Sequence, residues 1–225
     1  MKRGFMELFM ACLLLVCFFF LSREAAEVSN EMNGKKTILV DAGHGGADPG
    51  MIGVGGLNEK GINLSVALRL KKVLEEKNFT VVMTRQEDQG LYDETSRNMK
   101  TQDMQKRLSM IEEYHPDLSV SIHQNSYQDP AVYGPQVFYY EDSPEGEKLA
   151  GCIQEELNTQ LEIKKPRVPK GNTSYYLLKR SPGVLNIVEC GFLTNPSEAA
   201  LLQTEEYQEK VARAIAEGIC RYLSI

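Results

Sequence analysis

Thr37-Ile38-Leu39-Val40-Asp41-Ala42-Gly43-His44-Gly45-Gly46 joins a continuous aliphatic run to a glycine-rich turn. Such a run is the pattern of a strand buried on both faces, as in parallel sheets. The glycines adopt backbone conformations that other residues resist, so the loop can fold His44 back over the strand end. Beyond it, Asn58 can cap a helix whose apolar positions Ile62, Val66, Leu70 and Val73 recur at three and four residues. Phe79 to Met83 then predicts a second strand. The alternation continues through a polar loop from Gln86 to Lys100, a helix from about Thr101 to Tyr114, and strands Leu118 to Ile122 and Gln136 to Tyr140. A helix from Pro144 to Leu161, a basic loop, and strands Tyr175 to Leu178 and Val184 to Val188 follow. Asn195-Pro196-Ser197-Glu198 reads as a capping box with proline at the first helical position, and Val211, Ile215 and Ile219 form a terminal apolar stripe. These elements predict an α/β fold for residues 37–225. It is a single domain with a mostly parallel twisted sheet of about six strands, helices on both faces and a site at the carboxyl ends of the strands.

The 225 residues, 42% hydrophobic and 25% charged, suffice for one sizeable core. A formal charge of -6 without a Lys/Arg cluster argues against nucleic acid as a partner. Lys2 and Arg3 precede an uncharged apolar run from Leu8 to Leu21, the pattern of an export signal. Residues 1–23 are therefore expected to be a signal or signal-anchor, with an uncleaved anchor favoured because Glu24-Ala25-Ala26 is a poor cleavage site. Residues 24–36 read as a polar tether. Cys152, Cys190 and Cys220, odd in number and widely spaced, give no disulfide framework and read as small buried hydrophobes.

The chemistry lies in His44, Glu59, His123 and Glu189. Two imidazoles and two carboxylates satisfy the needs of a catalytic zinc hydrolase: three protein ligands, an open position for water, and a carboxylate left for proton transfer. His44, His123 and Glu189 each follow a predicted strand, where open α/β sheets place their ligand crevice. Glu59, in the first turn of the next helix, can face the same edge. Asp41 or a backbone carbonyl could orient a histidine from behind. A carboxylate closing the run Val184 to Val188 is costly to bury unpartnered, which marks Glu189. Gly43 to Asp48 could instead cradle phosphate, but it lacks the third dinucleotide glycine and puts an acid where pyrophosphate would lie.

Asp41-Ala42-Gly43-His44-Gly45-Gly46, Asn58-Glu59-Lys60, Thr84-Arg85, Ser121-Ile122-His123-Gln124-Asn125 and Glu189-Cys190-Gly191-Phe192-Leu193-Thr194-Asn195 together resemble the zinc-dependent N-acetylmuramoyl-L-alanine amidases, from Lys36 to the C-terminus. The resemblance implies one zinc per chain held by His44, Glu59 and His123, with Glu189 as general base and acid. It implies cleavage between the lactyl group of N-acetylmuramic acid and L-alanine, with peptidoglycan as partner. Asn125 is a candidate substrate contact, and Arg107 a structural support. The longer stretch from Gln86 to Gln105, the short anchor and Ser126-Tyr127 resemble the CwlD-type germination and sporulation amidases. That branch implies spore-cortex maturation through muramic-δ-lactam, at the outer face of the cytoplasmic membrane or in the forespore intermembrane space. Alternative readings are a zinc peptidase cutting within the stem peptide, a dormant wall-binding protein, and an enzyme that needs an accessory protein to complete its metal shell.

Overall fold

The computed structural model describes residues 35–224, so the expected signal or anchor and nearly all of the tether lie outside the described residues. The first strand, β1 (Thr37–Ala42), is followed by a short turn of 3₁₀ helix at Val54–Gly56 and by α1 (Glu59–Glu76). Then come β2 (Thr80–Met83), α2 (Met99–Tyr114), β3 (Leu118–Asn125), β4 (Gln136–Tyr140) and α3 (Pro144–Gln160). The chain closes through β5 (Lys170–Asn172), α4 (Tyr176–Arg180), β6 (Leu185–Phe192), α5 (Pro196–Leu201) and α6 (Glu205–Leu223). Together these elements build one six-stranded sheet in the order β2-β1-β3-β6-β4-β5, within a single α/β domain. Strands β2, β1, β3 and β6 are mutually parallel; β4 runs antiparallel to β6 and carries β5 beside it in parallel.

Alternation along the strands decides what each sheet face becomes. Ile38, Val40 and Ala42 of β1, Leu118, Val120 and Ile122 of β3, and Val188 of β6 join the main core with the apolar faces of α1, α3 and α6. Each large aliphatic side chain fully buried there contributes about 1.5–3 kcal/mol. The other face is more lightly covered. Leu39, Phe138, Leu185 and Ile187 pack with Ile111 of α2 and with Leu177 and Leu178 of α4.

That second face also carries the buried carboxylate of Asp41. It accepts from Thr84 Oγ1, just beyond β2, at 2.7 Å and from Ser121 Oγ of β3 at 2.5 Å, and it pairs with Arg107 Nη1 of α2. Arg107 also donates to the carbonyls of Ala42 and His44, both at 2.9 Å, and through Nε to Asp103 at 2.6 Å. Burial alone would raise the Asp41 carboxyl, but the Arg107 charge and the Ser121 hydrogen bond hold it below its ordinary value. Two strand ends, a third strand and a helix are thereby tied to the loop that bears His44.

Three expectations need correction. Tyr175 to Leu178 is not a strand; Tyr176 begins the helical turn α4, because a short apolar run without periodicity serves a buried helix as well as a strand. A short strand at Lys170–Asn172 was not expected, and its pairing with β4 rather than strand-forming side chains places it at the sheet edge. Asn195 caps α5 through Oδ1 to Ser197 N and Glu198 N, yet no reciprocal box forms. Glu198 turns instead to the backbone nitrogens of Phe192 and Gly134, both at 2.9 Å.

Removing one partner of a buried ion pair strands the other, at a cost of about 3–5 kcal/mol. Arg107→Ala is expected to lower the unfolding free energy by that amount in urea titration. A loss below about 1 kcal/mol would show that Asp41 finds other compensation.

Candidate active site

β1 delivers the chain to Gly43, whose amide donates to Ile122 O of β3 at 3.0 Å. A Cβ at Gly43 would lie 2.3 Å from the His123 ring, so only glycine lets that ring lie against the loop. Arg85 holds the same turn from behind, donating to Ala42 O at 2.9 Å and to Gly43 O at 3.0 Å. The next residue, His44, occupies the left-handed region at φ 61°, an uncommon conformation for a side-chain-bearing residue and one found at functional sites. Gly50 passes so close that a Cβ there would sit 2.6 Å from Glu59 Oε2 and 2.7 Å from the His44 ring.

Glu59 stands at the start of α1 and links the two imidazoles. His44 Nε2 lies 3.2 Å from its Oε2, and His123 Nδ1 lies 3.0 Å from its Oε1. Oε1 also accepts from Gln124 N at 3.0 Å and Asn63 Nδ2 at 3.1 Å, while Oε2 accepts from Met51 N at 2.8 Å. Burial opposes a charged Glu59, but hydrogen bonds from His123 and His44 and their charge hold its carboxyl far below the usual carboxylate range. Burial likewise opposes charge on His44, and Glu59 and then Asp48 overcome it, raising the imidazole to about 9.

The residue orienting His44 is Asp48, whose Oδ2 lies 2.8 Å from Nδ1. Asp41, the candidate from sequence, is committed to Thr84, Ser121 and Arg107. A carboxylate four residues on, across a glycine turn, was the available signal.

His123 and Glu189 fall within their strands rather than beyond them, because β3 and β6 each extend past their aliphatic runs. They are register partners on adjacent parallel strands, and so share a sheet face. Glu189 is 8% exposed, and its Oε2 is buried without a hydrogen-bond partner among the described residues. Burial pushes its carboxyl up to about 7, against the pull of His123. Asn125 lies at the end of β3, where its Oδ1 accepts from Ser126 N at 2.8 Å; it does not line the cavity onto which His44, His123 and Glu189 face.

That cavity, about 670 Å³, is floored by Asp41, His123, Ile187 and Glu189 and walled by the start of α2 and by Tyr175 to Leu177. Its wall residues Arg97, Lys100 and Tyr175 were not singled out from sequence, since no motif marks them.

One ligand atom from each of His44, Glu59 and His123 lies within 4.8 Å of the others, forming a possible metal-binding triad. Two imidazole nitrogens and a carboxylate oxygen are a donor set of catalytic zinc sites. The orphaned Glu189 oxygen beside them meets the further need for an uncommitted base. The residues present therefore fit zinc.

A carboxyl raised on folding binds its proton more tightly in the folded state. Its stabilisation is complete below the unfolded value near 4.5 and is lost as pH rises through about 7. Glu189→Gln should stabilise the metal-free protein by roughly 1–3 kcal/mol at about pH 8 and by little at about pH 4. Urea titration at both values checks this, and an equal effect at both would count against a strained Glu189.

The family profile of N-acetylmuramoyl-L-alanine amidase matches residues 38–221. The germination-specific N-acetylmuramoyl-L-alanine amidase of Bacillus subtilis is 41% identical over 194 residues, 84% of this chain and 80% of that protein. Among solved structures, the CwlD amidase of Clostridioides difficile, in complex with the GerS lipoprotein, superposes with a TM-score of 0.82 at 39% identity, covering 84% of this chain and 99% of that one. AmiC2 of Nostoc punctiforme gives 0.74 at 33% identity over 85% and 99%. Because the match runs from the first strand into the last helix, through the sheet face where His123 and Glu189 lie side by side, the chain belongs to the N-acetylmuramoyl-L-alanine amidase family and is a peptidoglycan hydrolase.

Proposed function

We propose that this amidase cleaves the bond between the lactyl group of N-acetylmuramic acid and L-alanine using one zinc held by His44, Glu59 and His123, with Glu189 as general base and acid. The observation that carries the assignment is the buried, unpartnered Glu189 Oε2 on the same sheet face as His123. When bound, zinc would polarise the lactyl carbonyl and acidify a water at neutral pH. Glu189 accepts a proton at its carboxylate and returns it to the departing L-alanine amine, so it ends as it began. Its raised value suits both transfers near neutrality. Asp48 fixes the orientation of the His44 ring, and Asn63 and the Met51 and Gln124 amides fix Glu59. The light cover of α2 and α4 leaves room for a substrate over the strands. Asn125, whose Nδ2 makes no hydrogen bond among the described residues, serves as a polar contact for substrate beyond the cavity.

The names of the relatives support a biological setting. One is named as germination-specific and another is solved with a lipoprotein, which supports a role in spore-cortex maturation leading to muramic-δ-lactam and an accessory protein for full activity. No helix among the described residues is long and apolar enough to cross a membrane. Attachment outside the cell is assigned to residues 1–23 on their basic start and apolar run, with 24–36 as tether and 37–225 as catalytic domain.

Mass spectrometry of muropeptides from cortex-type and vegetative peptidoglycan, incubated with the zinc-loaded protein, tests the reaction. Stem peptides beginning with L-alanine are expected. Glu189→Ala should release them at least roughly 10²–10⁴-fold more slowly, as loss of a general acid–base does, while keeping its zinc. Cuts within the stem would make it a peptidase, and undiminished release by the variant would remove Glu189 from the chemistry.

A further inference from the structure

Resting on the amidase reading, we infer that Arg97 and Lys100 form a subsite for a free carboxylate of the stem peptide and so set which stems are accepted. Both residues line the cavity that holds His44, His123 and Glu189, flanking the start of α2. The acids around the cavity are committed to partners or buried. Asp41 is held by Arg107, Thr84 and Ser121. Asp103 bonds Arg107 Nε at 2.6 Å and Leu91 N at 2.9 Å, and Asp48 bonds His44 Nδ1 at 2.8 Å and Gly50 N at 3.0 Å. Arg107, the third cation of the lining, is consumed by that network. Arg97 and Lys100 are exposed and make no ion pair within 4.0 Å among the described residues, although the Lys100 charge reaches Asp48 and helps to lower its carboxyl.

In a chain of net charge -6, these two exposed cations of the cavity lining offer an incoming anion a local attraction. An acidic peptide repelled elsewhere is drawn in here, and the Arg97 guanidinium can clasp a carboxylate with two parallel hydrogen bonds. The first turn of α2 has no acidic side chain and Asn98 supplies no side-chain cap, so neither occupies the start of the helix beside Arg97 and Lys100. The neutral wall of the cavity, Tyr175 to Leu177, offers such a group no charge partner. A contact to a stem carboxylate outside the scissile bond binds ground and transition states alike, so its effect falls on KM rather than kcat.

The test uses the zinc-loaded full chain and two peptide-bearing glycan fragments that differ only in whether the D-glutamyl α-carboxyl is free or amidated. The wild type is expected to show a KM about tenfold lower for the free acid, the scale of one charge-assisted contact. Arg97→Gln with Lys100→Gln should erase that difference, the swap Arg97→Lys with Lys100→Arg should keep most of it, and Lys164→Gln with Lys165→Gln should not touch it. A preference that survives in the first double variant, or its absence from the wild type, overturns the subsite. If the wild type cleaves neither fragment, the amidase reading falls and the subsite falls with it.

Discussion

The buried carboxylate of Asp41 is the constraint on which the site depends. A charge removed from water must be met by donors, and this one is met from β2's end, from β3 and from α2 at once. Arg107, recruited by that charge, also donates to the carbonyls of Ala42 and His44 and to Asp103. Arg85 adds two more bonds to the same turn. The loop carrying His44 is therefore held by two guanidinium groups, although its glycines and its left-handed histidine would otherwise leave it free to move.

The two faces of the sheet divide the work. One is sealed by α1, α3 and α6 with aliphatic packing, which supplies the stability. The other carries Asp41, Ser121, His123 and Glu189 at alternate positions under partial cover, which leaves a cavity. Polar groups placed on that face cost stability, and the clearest case is the Glu189 oxygen buried without a partner. Such costs are typical of groups kept uncommitted for chemistry.

Much of this was legible in the sequence for a physical reason. Buried parallel strands need continuous aliphatic runs, so β1 and β3 announced themselves, and the periodicity of α1 did the same. His44, Glu59, His123 and Glu189 were recognisable because glycine turns and strand ends limit where such residues can converge. The errors share a cause in tertiary context. Whether Tyr175 to Leu178 coils or extends depends on how the lighter face is filled. Whether Lys170 to Asn172 pairs depends on β4 being beside it. Asp48 displaced Asp41 as the partner of His44 because the turn through Gly45 and Gly46 brings it back, a path that composition alone does not encode. The alternation of Ser119, Ser121 and His123 with Leu118, Val120 and Ile122 did encode a polar sheet face, and it is the signal that would have located the cavity.

The claim that His44, Glu59 and His123 hold a catalytic metal is tested most directly by metal analysis joined to X-ray absorption of the zinc-loaded full chain. A single zinc per chain in a shell of two imidazole nitrogens and oxygen is expected, lost in His123→Ala. Zinc retained by that variant, or a shell containing sulfur from Cys152, Cys190 or Cys220, would contradict it.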